Sequence, residues 1–137
     1  MQITDYAITC TLDAPFEAAV ERVTEALAEE GFGVLTTIDV KATMKQKLDL
    51  DVPPYVILGA CNPHLASAGL AAEPDLGVLL PCNVVVRRDG DRTVVAAMEP
   101  TAAMRLAANP ALEPLAAEAR ARIERAIANL ERSESRA

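Results

Sequence analysis

The sequence predicts a two-layer α+β domain: an antiparallel β-sheet with helices packed on one face. Three observations predict it. Apolar residues recur at helical spacing in two long stretches, one near each end of the chain. Between them lie short apolar runs bounded by Pro, Gly, Asn and Asp, as strands are. Two of those runs flank Asp89-Gly90, a strong short-range hairpin signal. The order reads strand, helix, four strands, helix, with short helices inserted beside the third strand. A meander of this kind, with its helices segregated to one face, is a two-layer α+β arrangement.

Each element has a local reason. Ile3 to Thr11 places Tyr6, Ile8 and Cys10 on one parity and reads as the first strand. Asp13 is expected to cap the first helix, with Pro15 in the opening turn and Glu17 near the positive end of the dipole. Phe16, Val20, Val23 and Leu27 make its buried stripe, and Gly31 and Gly33 stop it. Val34 to Ile38 is a short strand. Asp39 caps a second helix whose stripe is Val40, Met44 and Leu48. Pro53-Pro54 forces an extended entry into the strand Tyr55 to Cys61. Asn62 as N-cap and Pro63 at the first helical position open a short helix to about Ala72. Pro74, Asp75 and Gly77 make the next turn.

The hairpin follows, Val78 to Arg87 and Arg92 to Glu99. With Asp89-Gly90 as a two-residue turn, Arg88 faces Asp91, Val86 faces Thr93, Val84 faces Val95 and Cys82 faces Ala97. Asn83 and Val85 point the other way, with Val94 and Ala96. Thr101 to Ala108 is a short helical piece. The last helix spans about Pro110 to Leu130, on a stripe of Leu112, Leu115, Ala119, Ile123, Ile127 and Leu130. The reading is one domain over 1–137, with an ordered core of about 2–130 and a frayed tail at 131–137.

Composition excludes several functions. Net charge is −7, opposite to the basic patch of a nucleic-acid or anionic-membrane binder. Aromatics are 3% of residues and Trp is absent, which disfavours a stacking platform for bases or sugars. Lys41, Lys45 and Lys47 are a local basic exception and read as a solvated helix face. No apolar run reaches the roughly 18 residues of a membrane span, and the N-terminus lacks a signal-peptide pattern. A cytoplasmic protein is therefore expected, with its three cysteines reduced and no permanent disulfide framework.

Chemistry-bearing residues concentrate in two Cys-Asn pairs, each at the edge of an apolar run. The first is Cys61-Asn62, after Val56-Ile57-Leu58-Gly59-Ala60. The second is Cys82-Asn83, after Val78-Leu79-Leu80-Pro81. A thiol near a helix N-terminus, as Cys61 would be, is favoured as thiolate. Cys82 follows Pro81, which marks a bulge, an edge or a strand end. The leading expectation is a small-ligand or interaction pocket around Cys61, Asn62, Cys82 and Asn83. Two alternatives stand beside it. Cys61 and Cys82 could be a redox pair and the catalytic candidates. Or Cys61, His64 and Cys82 could form an open three-ligand metal site, since Cys61 and His64 have Cys-x-x-His spacing. Each cysteine also has a plain structural role as a small buried hydrophobe. No cofactor is expected. Gly31 and Gly33 end a helix rather than follow a strand, so they are not a phosphate loop. No Ser sits in a nucleophile elbow.

The two central strands are apolar on both parities, so the sheet face away from the long helices also needs cover. The short helices and a second copy acting together in a homodimer would supply it.

The phrases Glu30-Gly31-Phe32-Gly33-Val34-Leu35, Ile38-Asp39-Val40-Lys41, Leu58-Gly59-Ala60-Cys61-Asn62-Pro63 and Leu80-Pro81-Cys82-Asn83-Val84 resemble domain-of-unknown-function family 302, bacterial and archaeal, in the family's order. The resemblance runs from about Tyr6 to Leu130. It implies a curved antiparallel sheet with helices on one side, like that of the TATA-box-binding protein. It implies no activity, and a shared fold does not confer DNA binding.

Overall fold

The computed structural model describes residues 1–136. Its strands are β1 (Gln2–Ile3), β2 (Ala7–Leu12), β3 (Gly33–Asp39), β4 (Tyr55–Cys61), β5 (Cys82–Asp89) and β6 (Arg92–Met98). Its helices are α1 (Phe16–Glu29), α2 (Val40–Leu48), α3 (Pro63–Ala72), α4 (Pro100–Arg105) and α5 (Glu113–Arg136), with 3-10 turns at Pro74–Leu79 and Pro110–Leu112. The six strands form one open antiparallel sheet in the order β1-β2-β6-β5-β4-β3. The expected α+β class, with an antiparallel sheet and helices packed against it, is what the chain adopts.

Alternation decides which residues meet the helices. Ile8, Cys10 and Leu12 of β2, Leu58 and Ala60 of β4, Val84 and Val86 of β5, and Val95 and Ala97 of β6 are all buried on one face. Val23 and Leu27 of α1 and Ile123, Ile127 and Leu130 of α5 complete that core. On the other face Tyr55, Ile57, Val85, Val94, Ala96 and Met98 are half-buried, and Ile38 is 51% exposed. The short helices do not cover it. α2 buries none of its residues, and α3 stands on the α5 side. Asp39 does cap α2, its Oδ1 accepting from Ala42 N at 2.9 Å. The lysines are solvated as expected: Lys45 pairs with Asp49 and Asp51, and Lys41 donates to Val52 O.

Several local expectations change. The first strand is broken, because Thr4 and Ala7 close a turn that folds β1 back onto β2. Asp13 does not cap α1. Pro15 stands at the cap without a side-chain bond, and Asp13 pairs with Arg92 at 2.8 Å. Residues 74–79 coil as a 3-10 turn, so β5 begins at Cys82 rather than Val78. α5 is assigned to Arg136, and within it Glu131 pairs with the N-terminal amine at 2.6 Å and Glu134 with Arg22 at 3.1 Å. Ala137 lies outside the described residues.

The hairpin register differs by two. Asp89 pairs with Arg92, Val86 with Val95 and Val84 with Ala97, so the two-residue turn is Gly90-Asp91. Gly90 has φ +60 while Asp91 does not enter the positive region, which is the type II′ pattern with glycine first. A shift of two preserves side-chain faces, so Asn83 and Val85 still share a face with Val94 and Ala96. Arg88 is more than a tip charge: its Nη1 donates to Thr93 Oγ1 at 3.0 Å and Ala14 O at 3.3 Å. Thr93, fully buried, donates to the same Ala14 carbonyl at 2.8 Å.

Nothing stands within 4 Å of a Cβ added at Gly90, so its positive φ alone sets the cost of substitution. Gly90→Val should therefore lower unfolding free energy by about 1 kcal/mol or more. Chemical denaturation checks this; an unchanged midpoint would contradict the turn geometry.

Candidate functional site

Where β4 and β5 begin their pairing, the chain makes a hollow. Ala60 pairs with Cys82, so Cys61 stands one position beyond that pair. Asn62 then ends the strand. Its Oδ1 accepts from Leu65 N at 3.2 Å and starts α3, with Pro63 at the first helical position as expected. α3 and the 3-10 turn that follows it rise on the α5 side. Between them, α4 and the first turns of α5 lies a cavity of about 380 Å³. Leu65, Leu70, Leu76, Leu80, Leu115 and Phe32 supply most of its apolar wall.

A glycine lets the strands close at this end. A Cβ on Gly59 would stand 2.3 Å from Thr36 Oγ1 and 2.8 Å from Pro81 Cγ. Thr36 and Pro81 both line the cavity, so the bare Gly59 backbone sets how closely its wall packs. A bulge between Val34 and Thr36 inserts Leu35 into β3. Leu35 is 68% exposed and lines the cavity, a re-aiming that bulges commonly produce.

Cys61, Asn62 and Cys82 all line this cavity. Asn83 does not. The strand alternates at that point, Cys82 being buried and Asn83 exposed toward the open face. Its amide is solvated there. His64 is exposed on α3 and is not among the lining residues. The set Cys61, His64 and Cys82 is not assembled as a metal site: no group of three His, Cys, Asp or Glu among the described residues could hold an ion.

Cys10, Cys61 and Cys82 are free thiols. Burial, with a smaller contribution from the neighbouring Cys61, pushes the Cys82 thiol up to about 11. Burial also lifts Cys10 to about 11, with Glu131 adding to the rise. Both are protonated at neutral pH. Cys61 is half-buried and opens on the cavity.

Glu99 has a role that its position at a strand end concealed. It is buried, and its carboxylate caps α4 by accepting from Thr101 N at 2.8 Å, Ala102 N at 3.1 Å and the Thr101 hydroxyl. Burial alone would raise its pKa; these donors and nearby Arg120 outweigh burial and hold it below the ordinary carboxylate value. The cap fixes Pro100 and Met104, both cavity residues. The signal was present in Glu99-Pro100-Thr101, an acceptor just before a proline at the first helical position.

The family model described as "Domain of unknown function DUF302" matches residues 8–130. Among solved structures, the chain is similar to the crystal structure of an uncharacterised conserved DUF302 protein from Bacillus stearothermophilus. The two are 32% identical with a TM-score of 0.82, over 88% of this chain and 94% of that one. No curated protein matches the chain.

Two outcomes follow from the thiols. Iodoacetamide on the native protein at pH 8 should modify Cys61 before Cys10 and Cys82, as peptide mapping would show. The raised thiol pKa values also set a sign for stability. Below the ordinary thiol value of 9.0 the contribution is complete, and it is lost as pH rises through about 11. The melting temperature should fall across that window, less steeply in Cys10→Ala; equal slopes would contradict a buried thiol at Cys10.

Proposed function

The chain belongs to the DUF302 family of domains of unknown function, and from that premise we propose that it is a small-ligand-binding protein whose ligand occupies the cavity beside Cys61, Asn62 and Cys82. One observation carries the reading. A hollow of about 380 Å³ is walled almost wholly by leucine and other apolar side chains, yet it opens to solvent. Binding sites for small molecules fall at about 300–1,000 Å³ and are mostly apolar with few polar groups. Apolar surface left wet costs roughly 25 cal/mol per Å², which a fitting apolar ligand recovers. Asn62 holds the wall in place through the α3 cap, and the Cys61 thiol gives the ligand a soft polar contact. Thiols that remain free suit a reducing compartment, so this reading puts the protein in the cytoplasm.

The neutral dye N-phenyl-1-naphthylamine tests the reading, because it brightens in apolar sites. It should bind the native protein, and Ala66→Phe, which fills the cavity from α3, should weaken binding by about tenfold or more without lowering the melting temperature. Equal binding by both proteins would sink the cavity as the site.

A second reading concerns assembly and rests on a different observation. The open sheet face carries Ile38, Ile57, Val85 and Ala96 in one row across four strands. Five strands of six to eight residues make a face of roughly 24 Å by 22 Å, about 500 Å² in projection before side-chain relief is added. A standard interface buries about 800 Å² per partner. We propose a second copy of this chain as the cover, since a two-fold axis makes one apolar face complementary to itself. Light scattering at micromolar concentration should give a dimer mass, and Val85→Asp should give a monomer. A monomeric native protein would end this reading.

A further inference from the structure

A second hollow of about 410 Å³ adjoins the first. The two share Met104, Leu112 and Ala116. Their chemistry differs. The first is apolar, while the second holds Thr101, Arg105, Asn109 and Glu113. Most of these polar groups are already committed. The Thr101 hydroxyl donates to Glu99, at 2.7 Å to one oxygen and 2.5 Å to the other. Asn109 donates to Ala72 O at 3.1 Å and Glu73 Oε1 at 3.3 Å, and accepts from Ala111 N at 3.0 Å.

Two charges remain. The Arg105 guanidinium and the Glu113 carboxylate have no ion pair or side-chain hydrogen bond among the described residues. They are not equivalent. Glu113 is the first residue of the 24-residue α5, whose positive end offsets its charge. Arg105 closes α4, a helix of only six residues, next to the shared wall residue Met104. Met104 is half-buried and unbranched, a side chain that adapts to what lies beside it.

We propose that the ligand is an amphipathic carboxylate, its aliphatic tail in the apolar cavity and its headgroup paired with Arg105 in the adjoining hollow. The inference rests on the cavity being the ligand site and adds the ligand's class. An arginine fork suits a carboxylate, because two parallel N–H donors meet its two oxygens. The tail needs no polar partner in the first cavity, where polar wall groups are scarce. The headgroup stays near solvent, so its charge is not stripped of water before it is paired.

Displacement of N-phenyl-1-naphthylamine by decanoate, decanol and decylamine tests the class on the intact chain. Decanoate should displace the dye at about tenfold lower concentration than decanol, with decylamine weakest. Arg105→Gln should abolish the decanoate advantage and leave decanol unchanged. Equal displacement by decanoate and decanol, or an advantage that survives Arg105→Gln, would overturn the carboxylate while leaving an apolar site intact. Stronger displacement by decylamine would assign the hollow to Glu113 instead. If the dye does not bind the native protein at all, the cavity reading and the carboxylate fall together.

Discussion

Ile123, Ile127 and Leu130 press the C-terminal half of α5 onto a sheet face built from Ile8, Leu58, Val84, Val86 and Val95. Every other feature of the molecule is placed by that contact. It fixes which parity of each strand is dry and holds α1 alongside. It also carries the first turns of α5 to the cavity that Ala60 and Cys61 of β4 help to line. There Leu115 contributes to the wall, while Ala116 and Ala119 stand where isoleucines would have filled the space. One helix therefore seals the core with its second half and leaves room with its first. The cavity is the volume that the same helix, with the same stripe, does not fill.

The elements around that volume are held by caps rather than by bulk. Asn62 anchors α3 and Glu99 anchors α4, and each is buried with its side chain turned onto backbone N–H groups. A cap is typically worth about 1 kcal/mol, modest beside the core. Its value here is positional, since it sets the angle at which a short helix leaves the sheet. Gly59 sets the opposite wall by letting Thr36 and Pro81 approach its backbone. The site is thus built of a few local geometries hung on a rigid layer.

Much of this was legible in the sequence, and the misses have physical reasons. The buried stripes of α1 and α5, the caps of α2 and α3 and the facing of β5 and β6 follow from period and cap chemistry, which act over a few residues. The hairpin register slipped because Asp89-Gly90 and Gly90-Asp91 give the same faces, and only the backbone at Gly90 separates them. The Cys-Asn pairs drew attention to the right strand ends, yet Asn83 points away from the cavity. Alternation beside Cys82 permitted no other outcome. Glu99, Arg105 and Met104 were missed because the cavity draws its wall from α3, α4, α5 and three strands, and no local pattern announces such a convergence. The tail reads as charged and small, but its Glu131 and Glu134 find partners more than 100 residues away.

The two edges of the sheet are unequal. β1 offers two residues, while β3 offers seven, including Val34, Leu35 and Ile38, with no lysine or proline to discourage a neighbour. A sheet with two adhesive edges is a monomer unit for a filament, since each added copy presents a fresh edge. This one has a single long edge, and its other side is blunted. Any strand-to-strand contact through β3 consumes the only extended edge on both chains and terminates there. Strand-to-strand pairing alone therefore cannot propagate along this sheet, and the bulge at Leu35 and the charge of Asp39 roughen the one long edge that is left.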